Sequence, residues 1–335
     1  MTSSGRTPSI SVSGAFQAEA DTNYPAAAVP TIYFIGMTTG KSSIMKVFPE
    51  WARYLGLGDC AIKGLDFVPH DQPAHYREAV AFIKSDPLSL GALVTTHKID
   101  LLKACRDQFE ELDEYAALMS EASSISKHDG KLVAHAKDPI SSGLSLEAFL
   151  PERHWEKTGA EAFILGAGGS ATAISWYLMN RKHGANRPSK IIVANRSPGR
   201  LEEMKELHHR IGCDVPVEYY LVPKPEQSDE LLRQLKPGSL VINATGLGKD
   251  GPGSPLTDTA VFPQNGLVWE FNYRGELVFL DQAKGQQKRK NLTIEDGWVY
   301  FVHGWLCVIT EVFDIKIPSS GSEFDQLCRI AADAR

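Results

Sequence analysis

Ala162-Phe163-Ile164-Leu165-Gly166-Ala167-Gly168-Gly169-Ser170-Ala171 is the stretch on which the reading of the fold turns. Four consecutive apolar residues read as a fully buried strand. The glycines that follow make a tight turn, and the run from there through Lys182 reads as a helix. A glycine turn between strand and helix lets backbone approach a pyrophosphate closely. The helix N-terminus then presents free N–H groups and the positive end of its dipole. Ile191–Ala194 reads as the next strand, so the turn sits in the βαβ context that dinucleotide binding requires. Gly166, Gly168, Gly169 and Ser170 are the first candidate cofactor residues.

Downstream, strand and helix patterns alternate through Glu218–Val222, Asp229–Leu235, Leu240–Ala244, Leu267–Phe271 and Leu277–Gln286. An apolar helix, Trp298–Phe313, and a terminal helix starting near Ser322 close the chain. Upstream, Thr31–Gly36 reads as a buried strand and Ile44–Leu55 as a helix with Ile44, Val47, Phe48 and Trp51 on one face. Ala61–Phe67 and Leu90–Thr95 read as strands around a helix at His75–Lys84. Two helices follow between Ile99 and Met119. Short strands at Ser123–Ser126 and Lys131–Ala136 flank the turn His128-Asp129-Gly130. This alternation predicts a largely parallel sheet covered on both faces. A second unit starts near Gly159, the boundary lying around a helix at Leu144–Leu150. Residues 1–29, rich in Ser, Thr, Ala and Gly without a period, read as a disordered or loosely attached tail.

Composition excludes several classes. The chain has 335 residues, 23% charged and 43% hydrophobic, as a soluble globular protein of two domains would. A net charge of −6 offers no basic surface for nucleic acid or an anionic membrane. No apolar run approaches the roughly 20 residues that span a bilayer, and no secretory signal pattern is visible. Five scattered cysteines without a CxxC pair argue against a disulfide framework or thiolate zinc site and fit a reducing cytoplasm. His208-His209 reads as a solvated helix face, so no metal site is expected.

Four further signals carry chemistry. Asn195-Arg196-Ser197-Pro198-Gly199-Arg200 ends the second strand of the unit, where an NAD enzyme would place an acidic residue. Arg196 and Arg200, with the Ser197 hydroxyl between them, match a 2′-phosphate in charge and geometry, which points to NADP. Asn243-Ala244-Thr245-Gly246-Leu247-Gly248 is a polar glycine-rich loop at a strand's C-terminal edge, where open α/β sheets bind ligands. Val94-Thr95-Thr96-His97-Lys98 and Asp138 lie at expected strand ends, and alone each charge is ordinary.

Taken in order, these features resemble the shikimate dehydrogenase family, which includes quinate dehydrogenases. The matching residues are Gly36 and Ser42 after the first strand, Val94 to Lys98, Asp138, the 166–171 turn, Asn195 to Ser197, Asn243 to Gly248, and Phe271-Asn272-Tyr273. The resemblance covers residues 31 to 315. It implies an α/β fold of two lobes: an N-terminal substrate lobe, a Rossmann NADP lobe, and C-terminal helices returning to the first. That division is 30–138 plus 298–335 against 139–297.

The resemblance also implies an NADP-dependent dehydrogenase acting reversibly on a secondary alcohol of a polyhydroxylated ring acid. Lys98 and Asp138 would be catalytic, the lysine as a base whose pKa is brought toward neutrality. Ser42, Thr95, Glu121, Tyr273 and His303 would bind substrate. Asn195, Asn243, Thr245, Gly246 and Gly297 would join the glycine turn and the two arginines at the cofactor. The family's substrate contacts are partly rewritten: Ile44 replaces its second serine, Ala122 aligns with its asparagine, and Gly304 with its glutamine. A ligand sensor without turnover, or an amino- or keto-acid oxidoreductase, are the alternatives on this scaffold. The expected partners are a small-molecule substrate and, at most, a second copy of the chain.

Overall fold

In the computed structural model, residues 24–212 and 214–335 are described. The expected tail lies outside them up to residue 23, as does Cys213. The remainder of that tail is tied down. Ala27 is buried, its N–H donates to Asp86 Oδ2 (2.8 Å), and the Tyr24 ring lies 5.3 Å from that of Phe82.

The first sheet is laid down by β1 (Thr31–Gly36), α1 (Ile44–Leu55), β2 (Ala61–Asp66), α2 (Pro73–Ser85), β3 (Ser89–Val94), α3 (Lys98–Cys105), β4 (Glu111–Leu112), α4 (Glu114–Met119), β5 (Ser124–His128) and β6 (Lys131–His135). Its six strands run in the order β2-β1-β3-β5-β6-β4. β1 pairs parallel with β2 and β3, but β5 is antiparallel to both β3 and β6. The sheet is therefore mixed, not largely parallel. The cause is local: Asp129 and Gly130 both have positive φ (51° and 73°), the backbone of a tight hairpin turn, which joins only antiparallel strands.

Two helices, α5 (Asp138–Glu147) and α6 (His154–Thr158), lead into the second sheet. The helix expected at Leu144–Leu150 begins earlier, at Asp138, with Pro139 in its first turn where a missing N–H costs nothing. The second sheet uses β7 (Ala162–Leu165), α7 (Gly169–Met179), β8 (Ile191–Asn195), α8 (Pro198–Ile211), β9 (Val217–Leu221), α9 (Pro225–Arg233), β10 (Leu240–Asn243), β11 (Leu267–Glu270), α10 (Val278–Lys284), α11 (Gln287–Lys290) and β12 (Thr293–Glu295). Its order is β12-β11-β10-β7-β8-β9, parallel throughout. This is the doubly wound arrangement, with its switch point between β7 and β10. β12 has only three residues and too weak a pattern to be anticipated. Along β7, Ala162 and Ile164 enter one apolar cluster and Phe163 and Leu165 the other, so both faces are covered.

The chain ends in α12 (Trp298–Phe313) and α13 (Ser322–Asp333), which return to the first sheet. Ile32 and Phe34 of β1, Val47 and Trp51 of α1, Val302 and Trp305 of α12 and Leu327 of α13 share one core. Trp51 is fully buried and its indole N–H donates to the Leu327 carbonyl (2.9 Å). α5 is wedged between the lobes, packed on both α7 and α12. Its Gly143 lies where any side chain would strike the Tyr177 ring.

Because Trp51 supplies both apolar area and a buried hydrogen bond, Trp51→Ala should cost about 3–5 kcal/mol in urea unfolding followed by circular dichroism. Trp51→Phe should cost about 1 kcal/mol for the lost bond, plus a packing term. A Trp51→Ala loss below 1 kcal/mol would mean that α13 is not part of the cooperative unit.

Candidate active site

A cleft of about 390 Å³ separates the lobes and is lined from both. On the first-lobe side, β3 ends at Val94 and the chain turns through Thr96, whose φ is +59°. His97 anchors this turn: it is buried, its Nδ1 bonds Tyr76 Oη (2.9 Å), and its ring packs on Phe67. Burial pushes its pKa down, so the anchor is a neutral imidazole. Lys98 then opens α3 and its ammonium pairs with Asp138 Oδ2. Asp138 opens α5, where the helix dipole favours a negative charge. The same carboxylate oxygen accepts from Ser170 Oγ (3.2 Å) across the cleft. Glu121, between α4 and β5, is 2% exposed and its Oε1 accepts no hydrogen bond. At the far end, Ser42 Oγ and Tyr273 Oη are hydrogen-bonded to each other (3.0 Å).

The electrostatics of this cluster differ from expectation. Burial acts to lower the Lys98 pKa, but the charges of Asp138 and Glu121 carry it above its ordinary value. The lysine is thus a held cation rather than one brought toward neutrality. Burial pushes the Glu121 carboxyl up to about 7, Lys98 opposing and Asp138 reinforcing the rise. Burial and Asp138 likewise keep the Tyr300 phenol protonated.

On the second-lobe side, Gly166 has φ +112°, and a Cβ there would meet the Ala244 carbonyl oxygen at 2.7 Å. The first turn thereby packs against the Asn243–Gly248 loop. Nothing stands within 4 Å of a Cβ placed on Gly168, so the α7 N-terminus opens onto the cleft. A methyl on Gly169 would collide with Glu121 Oε2, which marks how closely the lobes meet there. The second loop is braced from below. Asn243 Nδ2 donates to Glu270 Oε2 (2.7 Å), its Oδ1 accepts from Thr245 N–H and Oγ1 (3.1 and 2.7 Å), and Asn272 donates twice to Glu270 Oε1 (2.8 and 2.7 Å). Burial raises the Glu270 carboxyl to about 7 against the pull of these donors. The open helix N-terminus, the glycine approach and the cleft-lining Arg200 suit a dinucleotide.

The cleft brings together Lys98, Asp138, Ser42, Thr95, Glu121, Tyr273, Gly168, Gly169, Ser170, Arg200, Thr245, Gly246 and Gly297. Other expected site residues lie elsewhere. Gly166 and Asn243 sit behind the lining and shape it. Arg196 and Ser197 are exposed beyond its rim, and Asn195 Nδ2 is engaged by the Ser197 carbonyl (3.0 Å). His303 is a core residue, buried and stacked 4.4 Å from Phe324. Ile44 and Ala122 are fully buried in apolar clusters. An Ile44→Ser change would therefore bury a hydroxyl among apolar side chains. His208, expected on a solvated face, is buried between Ser175 Oγ (2.8 Å) and Tyr219 Oη (2.7 Å).

Sequence reasoning missed Ser123, Lys137, Arg274 and Tyr300, which line the cleft. Ser123 directly follows the Ala122 that was aligned with the family's asparagine, so a one-residue shift would have found it. Arg274 adjoins Tyr273, and its Nε is buried without a hydrogen-bond partner. Among the described residues no cluster of three or more metal-ligating side chains occurs, and no helix is long and apolar enough to cross a membrane.

A parallel doubly wound sheet whose glycine turn faces a lysine–carboxylate cluster on a second lobe defines a two-lobed α/β protein of dinucleotide-binding type. No protein-family profile matches the chain. The shikimate dehydrogenase (NADP(+)) of Lactococcus lactis subsp. cremoris (strain MG1363) is 28% identical over 178 residues, 53% of this chain and 59% of that protein. The protein of the same name from Symbiobacterium thermophilum is 28% identical over 259 residues, 76% of this chain and 80% of that one. The chain thus spans under two thirds of the Lactococcus relative. A crystal structure of a shikimate dehydrogenase in complex with NADP+ superposes with a TM-score of 0.67 at 18% identity, covering 94% of this chain and 99% of that one. Quinate dehydrogenase from Corynebacterium glutamicum in complex with NAD gives 0.66 at 16% identity, covering 91% and 99%. The chain is thus similar in sequence to shikimate dehydrogenases and shares its fold with shikimate and quinate dehydrogenases.

The placement of His303 has a measurable consequence. Burial lowers its pKa to about 4, and does the same to His208, against about 6.5 in an unfolded chain. Between these values the unfolded state binds protons that the folded state refuses. Their stabilising contribution is complete above pH about 6.5 and is lost as pH falls toward 4, at most about 3 kcal/mol each. His303→Leu should flatten the pH dependence of urea stability in that window while leaving substrate KM unchanged. An unaltered slope, or a raised KM, would put His303 back in the site.

Proposed function

We propose that this chain is an NADP-dependent oxidoreductase that transfers hydride reversibly between a secondary alcohol of a polyhydroxylated ring acid, of the shikimate or quinate kind, and NADP. The observation that carries this reading is the meeting of Lys98 and Asp138 with the α7 N-terminus across one cleft. NADP, when bound, supplies the hydride acceptor. Gly168, Gly169, Ser170 and Gly246 would hold its pyrophosphate, with Arg200 and Arg196 toward the 2′-phosphate. Arg200 donates to Glu203 Oε2 (2.7 Å), a partner the phosphate would compete for.

The protein's own part is proton handling and alignment. Lys98, kept protonated by its two carboxylates, donates to the oxygen of a ring ketone and regains the proton in the next cycle. In the oxidising direction it must first be freed of that proton, so the resting cluster is set for reduction. Asp138 holds the ammonium in place and accepts from the substrate hydroxyl. Ser42, Tyr273 and the adjacent Arg274 offer donors for the acid group of the ring. We assign residues 30–138 with 298–335 to the substrate-binding part and 139–297 to the dinucleotide-binding part, the division falling within α5. We place the chain in the cytoplasm, on the free thiols of Cys60, Cys105, Cys307 and Cys328.

Lys98→Ala should lower kcat by about 10²–10⁴-fold, while NADPH binding, followed by fluorescence, survives because the dinucleotide residues lie in the other lobe. Near-normal kcat in that variant would end the catalytic assignment. Joint replacement of Arg196 and Arg200 by Ala should raise the NADP KM far more than the NAD KM, since each charge-assisted contact is worth about 1.5–3 kcal/mol. Equal effects on the two cofactors would overturn the 2′-phosphate assignment.

A further inference from the structure

Charge around Lys98 is unbalanced. Its ammonium is paired with Asp138. Glu121 lines the same end of the cleft, 2% exposed, with no ion pair among the described residues and no hydrogen bond to its Oε1. The neighbouring cation, Lys137, is held by Glu311 Oε1 (2.6 Å) and Asp113 Oδ2 (3.3 Å). Ser123 Oγ is committed to the Lys137 N–H (2.7 Å) and the His135 carbonyl (3.5 Å). A carboxyl removed from water with only a share of the Lys98 charge facing it is costly to ionise, and a second cation beside it would favour its charged form. Asp138 and Glu121 share one ammonium, so when both are ionised this end of the cleft is one positive charge short. A hydroxyl would satisfy a lone pair of Glu121 and leave the charge uncompensated. An ammonium satisfies both.

We propose that Glu121 is a specificity-determining residue that pairs with a substrate ammonium group on the carbon beside the carbinol held by Lys98 and Asp138. Resting on the dehydrogenase reading above, this makes the preferred substrate class amino-substituted ring alcohols. Glu121 Oε2 and the Lys98 side chain both lie against Gly169, so the group that Glu121 reads adjoins the reacting carbon. The amino group takes no part in the redox step.

The test is calorimetric titration of the NADP-loaded protein with shikimate and with analogues in which one hydroxyl beside the reacting carbinol is replaced by an amino group. An amino analogue should bind at least about tenfold more tightly than shikimate, and the ratio should collapse to about one in Glu121→Gln. Equal or tighter binding of shikimate by the unaltered protein, binding of neither compound, or an unchanged ratio in Glu121→Gln would overturn the proposal. If Glu121→Gln does not fold, Glu121→Ala and the ratio in the unaltered protein decide. Turnover of shikimate without amine preference would remove the role of Glu121 and leave the dehydrogenase reading intact. Failure to bind NADP(H) at all would remove that reading instead.

Discussion

The carboxylate of Asp138 is held from three directions: by the Lys98 ammonium at the start of α3, by the Ser170 hydroxyl at the start of α7, and by the N-terminal dipole of its own helix α5. Each contact belongs to a different structural unit. The exit from β6, the entry to α3 and the glycine turn of the second sheet are thus referred to one point. α5 makes this possible because it is packed on both α7 and α12, with Gly143 admitting the Tyr177 ring. A helix clamped on two sides sets the separation of the lobes with less freedom than a linker loop would allow.

Besides Asp138, one buried carboxyl lies in the cleft wall and another behind it, and their surroundings divide their roles. Glu270 receives three donors from Asn243 and Asn272 and so serves as the foot of the 243–248 loop. Its structural work is finished within the protein. Glu121 has burial without such donors and faces outward to the cleft. Both carboxyls lie near 7 because burial penalises their charged forms, yet only Glu121 has capacity left for a ligand. The Lys98 charge persists because Asp138, and after it Glu121, lie beside it.

What was legible in the sequence was local. Residues 162–171 announce strand, turn and helix by composition alone, and Ile44–Leu55 does so by period. The hairpin turn at Asp129-Gly130 was visible too, but its consequence, an antiparallel strand inside the first sheet, had to be drawn from turn geometry rather than from the alternation of elements. Ser123, Lys137, Arg274 and Tyr300 carried no motif. They reach the cleft through packing between distant segments, which spacing does not encode. His303 and His208 illustrate the reverse: a polar residue on a helix takes the face that its neighbours leave, and here both faces are interior. The Lys98 protonation state depends on Asp138 and on Glu121, the latter lying just ahead of β5, which pairs with β3.

The core joining Trp51 to Leu327 places an order on events during synthesis. The acceptor for the Trp51 indole lies 276 residues later in the chain, whereas the second sheet is built from one continuous stretch between Ala162 and Glu295. On a ribosome the parallel sheet is complete while α12 and α13 are still to be made, and domains fold as units when their residues emerge. Until then Ile32, Phe34, Val47 and Phe48 of β1 and α1 lack the cover that Val302, Trp305 and Leu327 later provide. Contacts of such sequence separation also form slowly. The first lobe is therefore the part of this protein that is begun first and finished last, and its nascent apolar face is the natural claim on a chaperone.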